Sequence, residues 1–310
     1  MQYLDLVAVD AALDMELRLS AFAYLRNLIA QSGGLVHWDD LKSGFTFRGQ
    51  RFPLWVQQGI HKPKKLDAAL SITTTYAKSP AHQPYDDHPG PDGYMRYKWE
   101  GTDPQRYTNR ALRAACEHQL PLIWFQGVAP GVYLPVFPVY VLDEEPGLHQ
   151  FVIALDEHQR NEWQRTRTED PSLSTEHAHR VTKARLHQPL FRARVLAAYR
   201  SQCGVCRLRH PELLDAAHIK PDADGGEAVV PNGISMCKLH HAAYDNNLLG
   251  ISPDYRVKIR SDVRDETDGP TLRYAIQSLH DASLQIPHRR TAQPDRELLA
   301  ERFELFLQAS

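Results

Sequence analysis

The chain has 310 residues, 42% of them apolar and 24% charged, with a formal net charge of −2. That length suits two domains of ordinary size with real cores. The charge excludes a globally basic nucleic-acid coat but leaves room for a local basic surface. Four cysteines are too few for a disulfide framework and fit a reducing cytoplasm, the expected compartment.

The opening stretch M-Q-Y-L-D-L-V-A-V-D lacks a basic segment and is interrupted by acids, so it is not expected to act as a secretory signal. Met15–Gln31 places apolar residues at helical intervals before Ser32-Gly33-Gly34, which predicts a packed helix. Gly44–Leu54 alternates about Arg48-Gly49-Gln50 and predicts a β-hairpin. The most apolar run, Leu120–Leu142, is broken by Pro121, Pro130, Pro135 and Pro138. It predicts short strands and turns, not a membrane span.

Between these lie G-I-H-K-P-K-K-L-D-A-A-L-S-I-T-T-T-Y, then P-Y-D-D-H-P-G-P-D-G-Y-M-R-Y-K-W-E-G and Y-T-N-R-A-L-R-A-A. In this order, with the strands that follow, residues 55–145 resemble the SRA (SET- and RING-associated) domain. That resemblance implies a curved β-barrel related to PUA domains, which binds DNA and flips a modified cytosine into a pocket. Flipping costs a few kcal/mol, recovered by aromatic stacking and by hydrogen bonds to the pairing edge. The exocyclic amine of cytosine needs an acceptor. The resemblance therefore assigns base stacking to Tyr76, Tyr85 or Tyr97, and the base edge to the pair Asp86 and Asp87, Asp87 first. His61, Lys62, Lys64 and Lys65 fall where phosphates are contacted. The competing reading of single tyrosines on strands is core or sheet surface, and of a lysine run a solvated turn.

Asp156–Gln188 is polar, helical in its early part, and exposed from Asp170-Pro171-Ser172. A domain boundary is expected there, dividing a reader over 1–165 and a linker over 166–188 from a second domain over 189–310. Phe191–Tyr199 predicts a helix leading into Cys203–Gly250, the stretch the chain is organised around.

Two patterns are superimposed in that stretch. Cys203, Cys206, Cys237 and His240 have the C-x-x-C and C-x-x-H spacing of a closed structural Zn²⁺ site, with His241 an alternative fourth ligand. The other pattern is D-A-A-H-I-K-P, P-N-G-I and C-x-x-H-H, which resembles the HNH nucleases, whose ββα-metal site is a hairpin followed by a helix. The resemblance implies that His218 is the general base, Asn232 orients it, and His241 binds a catalytic divalent ion (Mg²⁺, Mn²⁺ or similar). The position before the base, where the family often has a second ligand, is Ala217 here; Asp215 or Asp245 is expected to substitute, Asp245 being favoured at i+4 from His241. Beyond the site, Ile251–Ile259 predicts a strand, and Pro294–Leu307 a helix capped by Asp295.

The expectation is an α+β protein with an SRA/PUA-like barrel and a zinc-stapled HNH domain. Its function would be modification-dependent cleavage of double-stranded DNA carrying 5-methylcytosine or hydroxymethylcytosine, by a homodimer because one HNH site cuts one strand. The alternatives are an HNH nuclease directed to phosphorothioate or 6-methyladenine, and an inactive zinc-stabilised DNA-binding protein.

Overall fold

Residues 2–32 contain neither Gly nor Pro, and the first helix, α1 (Gln2–Ser32), runs through all of them, longer than the apolar periodicity alone predicts. The computed structural model describes residues 2–32, 34–76, 88–166, 178–267 and 269–309. It divides into two units, Met1–Leu190 and Phe191–Ser310.

The first unit is built on a mixed sheet of seven strands: β1 (Val36–His37), β4 (Ile60–His61), β5 (Ser71–Thr74), β6 (Met95–Lys98), β7 (Leu122–Ala129), β8 (Val132–Glu145) and β9 (Gln150–Ala154). The order is β4-β5-β7-β8-β9-β6, with β1 also on β8; β5 and β7 are parallel and the other pairs antiparallel. The sheet curls because β8 pairs with β7 along its first half and with β9 along its second. Register shifts at Leu122/Trp124, Gly127/Ala129 and Val141/Asp143 add bend. Among the described residues it forms a half-barrel whose edges are β4 and β6, not a closed barrel.

Both faces are covered. Leu122 and Trp124 face one core with the helix Tyr107–Glu117, while Ile123 and Phe125 face another with α1. The predicted hairpin is β2 (Phe45–Phe47) and β3 (Gln50–Phe52), joined through Arg48 and Gly49, both at positive φ, as a two-residue turn requires. Gly44 has no alternative: at φ +64° a Cβ there would run into the Phe52 carbonyl oxygen.

A buried ion pair ties α1 to the sheet. Arg18 is fully buried, bonded through Nε to Asp14 at 2.7 Å, and donates from Nη1 to the carbonyls of Ala69 and Pro121. Burial lowers its pKa and the Asp14 carboxylate opposes the shift. Arg18→Met leaves that carboxylate and two carbonyls without donors. It is expected to cost the first unit about 3–5 kcal/mol, read as a lowered thermal midpoint of that unit; an unchanged midpoint would refute the role.

The stretch expected as a linker lies partly outside the described residues (167–177). From Ala178 it packs onto the first unit: Gln159 Nε2 donates to the Ala178 carbonyl and the Thr182 hydroxyl to that of Gly93. No described helix is long and apolar enough to cross a membrane.

The second unit is organised on the antiparallel hairpin β10 (Leu214–His218) and β11 (Gly233–Cys237), followed directly by the helix Lys238–Asp245 packed on both strands. The predicted strand at 251–259 is instead a second hairpin, β12 (Leu249–Ile251) with β13 (Val257–Ile259), because Pro253 and the positive φ of Tyr255 turn the chain between them. The last helix, Arg296–Gln308, starts as predicted: the Asp295 carboxylate accepts from the amides of Glu297 and Leu298.

Candidate active site

The Cys/His quartet converges from three places in the chain. Cys203 and Cys206 lie on the turn after the helix Gln188–Ala198, Cys237 ends β11, and His240 sits in the first turn of the helix that follows. Their ligand atoms all lie within 4.8 Å of one another. Cys206 Sγ to Cys237 Sγ is 3.9 Å, Cys203 Sγ to His240 Nδ1 3.7 Å and Cys237 Sγ to His240 Nδ1 3.1 Å. A tetrahedral zinc with bonds of about 2.0–2.3 Å separates its ligands by about 3.3–3.8 Å, so the quartet has the size of a zinc site.

The surroundings orient it. The amides of Cys206 and Cys237 point at Cys203 Sγ, and His240 Nε2 lies 2.7 Å from the carbonyl oxygen of Ala275. That carbonyl only accepts, so Nε2 carries a ring proton and Nδ1 is the nitrogen that faces the sulfurs. Contacts from Cys206 and Cys237 hold the Cys203 thiol far below its ordinary range, while the contact with Cys203 pushes Cys206 up. Burial pulls His240 down, but the sulfurs and the Ala275 carbonyl outweigh it and lift it to about 10. The cluster thus favours a thiolate at Cys203. The Cys3His set fits a structural metal ion that would clamp hairpin, helix and knuckle together. The choice between His240 and His241 falls on His240, which is almost fully buried in the cluster; His241, one helical position on, is half-buried and turned elsewhere.

His218 ends β10, paired with Gly233. Its ring lies on that of Phe191, centroids 4.0 Å apart and planes at 17°. Gly233 permits this, since a Cβ there would meet the Phe191 ring at 2.8 Å and Val195 at 2.5 Å. Asn232 is buried and its amide is fully spent on the loop that follows His218. Oδ1 accepts from the Lys220 amide at 2.8 Å; Nδ2 donates to the carbonyls of Lys220 and Glu227. It therefore fixes the backbone on either side of the hairpin mouth. His241 Nε2 is 3.3 Å from Asp245 Oδ2 across one helical turn. Ligands of an octahedral ion with bonds of about 2.1 Å sit about 3 Å apart, so these two atoms fit neighbouring positions on one ion. Asp215, three residues before His218 on a strand, faces the other way and pairs with Arg192 at 3.3 Å. Ala217 is fully buried in the apolar core.

The residues assigned to base reading fare differently. Tyr85, Asp86 and Asp87 lie outside the described residues. Tyr97 is a core residue, edge-on to Trp124 at 5.8 Å with its hydroxyl on the Thr73 carbonyl, so it has no ring face for a base. His61 is also buried, bonded through Nε2 to the Pro53 carbonyl, and burial lowers its pKa; it does not meet phosphates from there. Lys62 turns back onto the Leu66 carbonyl at 2.6 Å. Tyr76 is half-buried, and Lys64 and Lys65 are exposed beside a cavity of about 430 Å³. Sequence reasoning missed Phe191 as the platform under His218 and Ala275 as the partner of His240; only the glycine of P-N-G-I signalled the first, and nothing local the second.

Residues 203–252 match a family model described as HNH endonuclease. With the hairpin, helix and quartet above, the second unit carries an HNH endonuclease domain, and the chain is a nuclease. Among solved structures the chain is similar to a "Modification dependent TagI restriction endonuclease", 16% identical, covering 77% of this chain and 82% of that one, with a TM-score of 0.30. No curated protein matches the chain.

Proposed function

We propose that the protein is a modification-dependent DNA endonuclease, in which the first unit reads a modified cytosine and the second hydrolyses the phosphodiester bond. The observation that carries the reading is the set His218, Asn232 and His241 on a hairpin–helix held by a Cys3His cluster. His218 takes the proton of the attacking water as its oxygen closes on phosphorus and the strand's leaving oxygen departs. Asn232 keeps the loop beyond His218 in place. His241 and Asp245 would hold a divalent ion, which when bound supplies charge to the phosphate and the leaving oxygen. Such a site contacts backbone and carries little base information, so a separate reader gives it a target. The ordered motifs over 59–145 and the curled sheet support that role for the first unit. Cutting both strands calls for two copies, most simply a two-fold dimer.

Matched plasmids that are unmodified or carry 5-methylcytosine, hydroxymethylcytosine, 6-methyladenine or phosphorothioate test the target. Cleavage is expected only for the modified cytosines, and Asp87→Ala is expected to abolish that preference while leaving salt-dependent binding to plain duplex. Equal cutting of all five plasmids removes the reader; cutting only of phosphorothioate or 6-methyladenine DNA reassigns it.

A further inference from the structure

We propose that the segment His288–Arg296 is a phosphate-binding surface that holds the DNA backbone beside the hairpin, an inference that rests on the nuclease reading above. The segment lies well outside the matched residues 203–252. It is nonetheless docked on the active-site loop. The turn Arg290–Ala292 packs against the turn Val230–Asn232, and the Asp295 amide donates to the Pro231 carbonyl at 2.9 Å. The residue after Asn232 is Gly233, the cross-strand partner of His218.

Between the segment and that loop is a cavity of about 630 Å³. Tyr255 forms one wall, with its hydroxyl on the Pro294 carbonyl and the Arg296 guanidinium over its ring at 4.8 Å. Arg290 and Arg296 also line it, and Arg289 is exposed next to them. Neither Arg289 nor Arg290 has an ion-pair partner among the described residues, so their charge is available. The acid that lines the cavity, Asp295, is committed to capping the last helix.

The chemistry of the neighbouring loop makes this surface useful. A chain of net charge −2 must concentrate its phosphate contacts locally. On the loop itself the cation two residues past His218, Lys220, is paired with Glu301 at 3.4 Å. Arginines presenting several donors in a fixed fork are suited to consecutive phosphates, and the turn offers two in a row. Such contacts fix the strand's position without reading its sequence.

The test uses the full chain carrying His218→Ala, with binding to a fluorescein-labelled duplex followed by anisotropy over a salt series. Arg289→Gln/Arg290→Gln should lower the slope of log affinity against log salt by about 1.8, at about 0.9 for each phosphate no longer neutralised, on modified and plain DNA alike. Arg289→Lys/Arg290→Lys should restore most of the slope. Arg273→Gln, which removes an exposed cation elsewhere in the unit, should leave it unchanged. Unchanged zinc content in each variant shows that the unit is folded. A slope equal to the parent's in the Gln double variant, or an equal loss per residue from Arg273→Gln, overturns the inference and leaves the nuclease intact. Failure of the parent to bind any duplex overturns the nuclease reading and this inference with it.

Discussion

Cys203→Ser is expected to unfold the second unit while the first keeps its structure. Zinc in small Cys/His sites contributes about 10–16 kcal/mol of apparent binding free energy, and a whole domain is stable by only about 5–15 kcal/mol. The loss is therefore as large as the whole stability of an ordinary domain. The geometry says why the damage would spread. The cluster joins the knuckle after Gln188–Ala198, the last rung of the hairpin at Leu214 and Cys237, the start of Lys238–Asp245, and Ala275 through His240. Metal analysis of the wild type should find stoichiometric zinc. Hydrogen exchange of Cys203→Ser should show lost protection within 191–310 and retained protection in the strands of the first unit. Stoichiometric zinc in a Cys237→Ala/His240→Ala variant would reject the assignment, as would a thermal transition unmoved by chelator.

This site was legible because its ligands are local. Two pairs at three-residue spacing, one of them running from a strand end into a helix, state the knuckle and the hairpin–helix together, and the described structure brings those four residues into one cluster. What sequence could not show was long-range. Ala275 contributes a carbonyl, which every residue has, and Phe191 is one of several apolar positions on a helix. In the first unit the reason for error is different. Its sheet is covered on both faces, so consecutive residues such as Trp124 and Phe125 are both core. Alternation then no longer separates an inner from an outer face, and an aromatic or a histidine on such a strand is core by default. Tyr97 and His61, assigned to DNA by motif order, are buried for that reason. Lys62 shows a related limit: composition marks a lysine as solvated, whereas this one is drawn to carbonyls of its own turn.

His218→Ala is expected to reduce cleavage by about 100- to 10,000-fold, the usual worth of a positioned general base. Binding of DNA and zinc content should be unchanged, since His218 belongs neither to the quartet nor to the cationic segment. The stability cost should be small, about 0.5–1.5 kcal/mol for the missing stack on Phe191. Phe191→Leu separates orientation from chemistry: the base is retained without its platform, so activity should fall less than in His218→Ala, through the turnover rate more than through substrate affinity. His241→Ala and Asp245→Ala should differ in kind from His218→Ala. The two atoms are 3.3 Å apart and each would supply one ligand, so Asp245→Ala should raise the divalent-ion concentration needed for cleavage and recover in part at high Mg²⁺ or Mn²⁺. His218→Ala should not recover at any concentration, because no added ion replaces a proton acceptor. The assignment of roles fails if His218→Ala cuts at the wild-type rate, or if excess divalent ion rescues His218→Ala and leaves Asp245→Ala unchanged.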